Sequence, residues 1–256
     1  MQGYLRTSDR AFVDDSGAVV QLRGFGLGGW LVQEGYMWNT GGFYGSTSMI
    51  QQKIIELVGD SAASQFYNDY YLAYITETDV IQLSDWGFNC LRVPFHYKFF
   101  SPDTGVFVED GFNILDPLLE WCSNNQIYII LDMHCAPGGQ NRNDFSDGDG
   151  NEAGLWAHEY NRDWTVAIWQ YIANHYAESE WIGGYDLINE PVLEGNFTSG
   201  DLRQFYIDIA DAIRTVDQNH ILFIEGNWYG NDFTSLTPPF DDNMAYSFHH
   251  YVGPSD

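Results

Sequence analysis

Short runs of β-branched and other apolar residues alternate along the chain with stretches whose apolar positions recur every three or four residues. The short runs lie at 22–27, 89–94, 127–133, 185–189, 221–225 and 245–249, and each has the length of a buried strand. Between them, 47–58, 77–86, 114–124, 162–175 and 202–216 carry the period of amphipathic helices. Strands and helices in alternation predict a parallel sheet with crossover connections. Ahead of them, residues 11–24 predict a β-hairpin, because Phe12-Val13 and Val19-Val20 flank the turn residues Asp14-Asp15-Ser16-Gly17.

No linker, low-complexity tract or block of like charge divides the chain, so residues 1–256 are expected to form a single domain. Two architectures fit the alternation, a doubly wound sheet and a barrel closed by eight strands. A nucleotide-binding sheet needs a glycine fingerprint after its first strand. Gly24-Phe25-Gly26-Leu27-Gly28-Gly29 departs from that fingerprint and runs into Trp30-Leu31 instead of a helix start. The barrel makes a different demand, that polar residues recur at the C-terminal ends of successive strands. They do so in Leu91-Arg92-Val93-Pro94-Phe95-His96, Leu131-Asp132-Met133-His134, Asn189-Glu190-Pro191 and His249-His250-Tyr251. Asn189 and Glu190 together suit sugar chemistry, since a carboxyl can protonate a glycosidic oxygen while an amide holds the neighbouring hydroxyl.

Composition narrows the function. With 45% hydrophobic and 17% aromatic residues the chain can bury a large core, and its formal charge of −26 excludes nucleic acid as a natural partner. The same charge disfavours anionic polysaccharides and leaves neutral ones unpenalised. No apolar stretch reaches membrane-spanning length, and the opening residues lack a signal-peptide core. Cys90, Cys122 and Cys135 are odd in number and match no zinc spacing. The first strand offers no metal-ligating pair. In the acidic loop 144–152, Glu152 stands where a calcium loop requires glycine, and His158 stands where it requires glutamate. Neither a metal nor an organic cofactor is therefore expected.

Taken in order, Arg92 in Leu-Arg-Val-Pro-Phe, His134 in Leu-Asp-Met-His, Asn189-Glu190-Pro191 and His249-His250-Tyr251 resemble glycoside hydrolase family 5, one of a large clan of retaining barrel glycosidases. The resemblance spans residues 22–251. The stretch Gly26-Leu27-Gly28-Gly29-Trp30-Leu31 is similar to the first strand of the family's β-glucanase branches, and Ala136-Pro137-Gly138-Gly139-Gln140 resembles their loop after the third strand. It implies an α/β fold of the TIM (β/α)8 type, with about six of the eight units present here. It also implies Glu190 as the general acid/base, with Asn189 on the 2-hydroxyl of the reacting sugar. Arg92 and Tyr251 would support the nucleophile, and His134 and His249 would line the cleavage subsite, His249 being selected over His250 by the family's spacing. The implied activity is retaining hydrolysis of a neutral β-linked polysaccharide, a β-glucan. The same set would serve a β-mannanase or a β-glucosidase, and without a nucleophile it would serve a glycan-binding barrel.

Pyranose rings stack on aromatic faces, which makes Trp30, Trp38, Trp156 and Trp228 the expected platforms, and Glu225, ending the fifth strand, is expected to shape a subsite or to make a structural hydrogen bond. Trp86, Trp121, Trp164 and Trp169 fall in helical patterns and are expected to pack. The family's nucleophile is a glutamate at the end of a seventh strand, and no glutamate follows Glu225. The nucleophile is accordingly expected beyond residue 256, in a longer chain that acts as a monomer and is exported to the cell surface, periplasm or medium.

Overall fold

In the computed structural model, which describes residues 3–39 and 45–251, the strands form two sheets. An antiparallel sheet contains β1 (Arg6–Ser8), β2 (Ala11–Val13) and β3 (Val19–Val20). Its β2–β3 half is the expected hairpin. Oδ1 of Asp14 organises the turn by accepting from the N–H groups of Ser16 at 3.0 Å and Ala18 at 3.1 Å. β1, only three residues long, leaves no mark on the apolar pattern.

Six strands pair in parallel and in chain order in the second sheet: β4 (Gly24–Gly26), β5 (Cys90–His96), β6 (Tyr128–Cys135), β7 (Ile182–Asp186), β8 (Ile221–Glu225) and β9 (Met244–Ser247). α1 (Thr47–Val58), α2 (Asp60–Ala73) and α3 (Glu77–Asp85) precede β5, and α4 (Asp110–Asn124) precedes β6. The turn α5 (Gly154–Ala157) and α6 (Glu159–Tyr176) precede β7, α7 (Ser199–Arg214) precedes β8, and the turn α8 (Asn227–Gly230) precedes β9. The path is that of a (β/α)8-type barrel over six strands.

The two faces of the strands separate structure from chemistry. Leu91, Val93, Ile129, Leu131, Leu222 and Ile224 join the main core with Leu115, Leu118, Ile168, Ile172, Ile209 and Ile213 of the helices. Burying each such side chain contributes roughly 1.5–3 kcal/mol. Residues of alternate pleat, among them Arg92, Asp132, Asp186 and Glu225, turn away from that layer into the barrel interior. The hairpin sheet closes the other end of the interior. Leu5 and Val20 bury against Tyr128, Ile221 and Phe223, and the Tyr128 hydroxyl donates to the carbonyl of Gly3 at 2.9 Å.

Capping explains where two helices begin. Thr76 and Thr198 each exchange hydrogen bonds with the aspartate three residues on, Asp79 and Asp201, at the starts of α3 and α7. α2 has no counterpart in the predicted elements. Its aromatic run Phe66, Tyr67, Tyr70, Tyr71 and Tyr74 blurs the helical period, and only Gly59, at φ 82°, separates it from α1. The fourth parallel strand stops at Asp186, so Asn189 and Glu190 lie past it on a loop, where Asn189 N–H still reaches the carbonyl of Met133 at 3.2 Å. The three cysteines are buried and free, and Trp86 is exposed, not packed.

Candidate active site

The site is built around Arg92. Its Nε donates to Oδ2 of Asp186 at 2.9 Å, its second terminal nitrogen to Oδ1 of Asn189 at 2.8 Å and to Oε1 of Glu225 at 3.1 Å. The remaining nitrogen lies 3.1 Å from Oδ2 of Asp132. Burial alone would lower the guanidinium's pKa, but Asp132, Asp186 and Glu225 outweigh it and raise it. One arginine thereby crosslinks β5 to β6, β7 and β8, and fixes the amide of Asn189. Among the described residues the Nδ2 of that amide is buried without a partner, a donor left for another group.

Glu190 adopts a left-handed backbone, φ 46°, and is almost fully buried. Its Oε1 lies 2.5 Å from Nδ1 of His249 and 3.4 Å from the hydroxyl of Tyr251. The other ring nitrogen of His249 is 3.0 Å from Oε1 of Glu225. Burial pulls the pKa of His249 down, yet its bonds to Glu190 and Glu225 push it up to about 10, so both nitrogens carry protons at neutral pH. His134 is oriented by Asp132, whose Oδ2 is 2.7 Å from its Nδ1.

These groups open onto a cleft of ≈ 670 Å³, whose lining includes Arg92, His134, Asn189, Glu190, His249 and Tyr251. The structure thus brings together all six residues expected to be catalytic.

The expected sugar platforms fare differently. Trp30 and Trp156 are each 2% exposed, and their indoles donate to the carbonyls of Tyr71 and Gln140. Both belong to the core and offer no face to a ligand. Trp38 packs on Tyr70 with centroids 5.2 Å apart, and Trp228 is 59% exposed but lies outside the cleft lining. Glu225 is fully buried, with Oε1 held by Arg92 and His249 and Oε2 by the N–H of Glu190 at 2.7 Å. It is a structural acceptor and does not shape a subsite.

The cleft's aromatic and acidic lining comes instead from Tyr36, Phe145, Tyr229 and Glu34. Burial raises the Glu34 carboxyl, His134 opposing the shift and Asp144 and Glu190 adding to it. No periodic signal marks these loop residues. The Asp144–Ser146 turn leads to Asp147, which is spent on the protein itself, accepting from Ser48 N–H at 2.7 Å and meeting His96 at 2.9 Å.

Among curated proteins, the chain is 34% identical over 252 residues to a β-xylosidase of Phanerodontia chrysosporium, covering 97% of this chain and 52% of that protein. It is 30% identical over 190 residues to endoglucanase C of Acetivibrio thermocellus, covering 73% and 53%. The chain spans about half the length of these relatives. Among solved structures, a rutinosidase from Aspergillus niger superposes with a TM-score of 0.75 at 19% identity, over 90% of this chain and 69% of that one, a likeness of fold. The model of the cellulase family, glycosyl hydrolase family 5, matches residues 47–256. With that match over most of its length, the chain belongs to glycosyl hydrolase family 5.

Proposed function

We propose that this site hydrolyses O-glycosidic bonds in a neutral β-linked polysaccharide, a β-glucan, with retention of configuration. The observation that carries the reading is the Glu190 carboxyl, facing an open cleft and hydrogen-bonded to His249 and Tyr251. Glu190 donates its proton to the leaving-group oxygen as the glycosidic bond breaks. It then takes a proton from the water that releases the sugar from the enzyme. Asn189, whose buried Nδ2 has no partner among the described residues, binds the 2-hydroxyl of the reacting sugar. His134 borders the same subsite, and Tyr36 and Tyr229 supply stacking faces.

Retention needs a second carboxyl about 5–5.5 Å from the first to form and release a glycosyl ester. Glu225 cannot fill that role, because its oxygens are committed to Arg92, His249 and the Glu190 peptide. The nucleophile is assigned outside the described residues. We propose further that the protein acts outside the cytoplasm, where polymeric glycans lie, and that it does so as a monomer. The deciding experiment is product analysis on β-glucans, mannans and short β-glycosides with the protein that carries this chain. Release of glucose or gluco-oligosaccharides of retained configuration supports the proposal. Hydrolysis of mannans alone, or binding without hydrolysis, overturns it.

A further inference from the structure

The loop after β6 holds the peptide that carries Glu190. A left-handed backbone is unfavourable at a glutamate, so it persists only where its surroundings hold it. At Glu190 the N–H is taken by Glu225, and the carbonyl accepts from Nδ2 of Asn141 at 2.9 Å. One residue earlier, the carbonyl of Asn189 accepts from Nε2 of Gln140 at 2.8 Å.

Both amides are buried, at 0% exposure for Gln140 and 1% for Asn141, and both are nearly saturated. Nε2 of Gln140 also donates to the carbonyl of His134 at 2.7 Å, while its Oε1 accepts from Ala136 N–H at 3.1 Å. The Gln140 carbonyl takes the indole of Trp156 at 2.9 Å and the N–H of Val192 at 3.1 Å. Oδ1 of Asn141 accepts from Asn143 N–H at 2.9 Å and from the Ser146 hydroxyl at 2.7 Å. Neither side chain lines the cleft. The bonds therefore tie three backbone segments together, the end of β6, its own loop and residues 189–192, with the buried Trp156 as a wedge behind them.

We propose that Gln140 and Asn141 are positioning residues for the proton-transfer step, setting the Glu190 peptide so that its carboxyl meets the leaving-group oxygen. The proposal rests on Glu190 as acid/base. A side chain shifted by about 1 Å loses on the order of 100-fold in rate when it must transfer a proton along a defined line. The loss falls on substrates whose leaving group needs protonation, and spares those whose leaving group departs as an anion.

Asn141→Asp keeps the shape and removes the donor to Glu190, and Gln140→Glu does the same for Asn189. In the protein that carries this chain, each variant is compared with wild type on a series of aryl and alkyl glycosides of rising leaving-group pKa, together with Glu190→Ala. The expected result for Asn141→Asp is a 10- to 100-fold fall in kcat for poor leaving groups, a fall under about threefold for activated aryl glycosides, and KM within about twofold. Circular dichroism and thermal melting identify any variant that has lost its fold, and Asn141→Ala then replaces it in the same series. A uniform loss across leaving groups, or none, overturns the inference while a leaving-group split in Glu190→Ala leaves the acid/base reading standing. A Glu190→Ala variant without that split overturns both.

Discussion

The backbone N–H of Glu190 donates to Oε2 of Glu225 across 2.7 Å, from the loop after β7 to the end of β8. Among the described residues each partner of the Glu225 carboxylate is a donor: this N–H, a guanidinium nitrogen of Arg92 and Nε2 of His249. Glu225→Gln sets an amide NH₂ against at least one of them. The expected cost is about 3–5 kcal/mol, as for a broken buried ion pair, and roughly 10 °C in melting temperature. Thermal melting of wild type and variant checks it, and an unchanged midpoint would show that Glu225 is not a committed acceptor.

Asp186 responds in the opposite way. Burial, and then the charge of Glu225, hold its carboxyl well above the usual range against the pull of Arg92. Among the described residues its Oδ1 has no partner, and its Oδ2 accepts from Arg92. An amide mimics the protonated form that this shift favours, so Asp186→Asn is expected to cost less stability than Glu225→Gln. For an acid whose folded pKa is raised, the stabilisation is complete below the unfolded pKa and declines as pH rises toward the folded value. Denaturant titrations should therefore show stability declining as pH rises above the ordinary carboxylate range, less steeply in Asp186→Asn.

His249 is raised as well, to about 10, against burial and by its bonds to Glu190 and Glu225. The stabilisation from its charged form is complete below the unfolded histidine value and is lost as pH rises from about 6.5 through about 10. His249→Gln should flatten the alkaline side of the stability profile. Nitrogen-15 NMR of the imidazole should show both nitrogens protonated at pH 8, and a neutral ring at that pH would contradict the bridge.

Strand polarity made much of this legible in the sequence. His134, Asn189, Glu190 and His249 sit at or just beyond C-terminal ends of parallel strands, so recognising those strands places them on one rim, whereas Arg92 is the third of the seven residues of β5 and reaches the group from within the sheet. The limits are equally physical. Position along a loop says which end of the barrel an indole occupies, but not which way it turns, and Trp30 and Trp156 turn inward. The commitment of Glu225 depends on contacts made 133 residues from Arg92 and 35 from Glu190, which no local pattern encodes. Glu34, Tyr36 and Tyr229 lie on irregular backbone without a period to mark them.

The reassigned aromatics make their own prediction. Trp156→Ala should cost about 3–5 kcal/mol of stability by opening a cavity and removing one of the two donors to the Gln140 carbonyl. Tyr229→Ala, at a ring that lines the cleft, should leave melting nearly unchanged and weaken oligosaccharide binding by roughly tenfold. Calorimetric titration and melting of the two variants check the pair, and the reverse pattern would return Trp156 to the binding surface.

The central claim is that Glu190 is the acid/base, and azide rescue of Glu190→Ala tests it most directly. Turnover of substrates with poor leaving groups should vanish. On an activated aryl glycoside, azide should restore rate and yield a glycosyl azide of retained configuration, because the small anion attacks where the general base has been removed. Undiminished hydrolysis of a poor-leaving-group substrate by Glu190→Ala without azide would contradict the assignment.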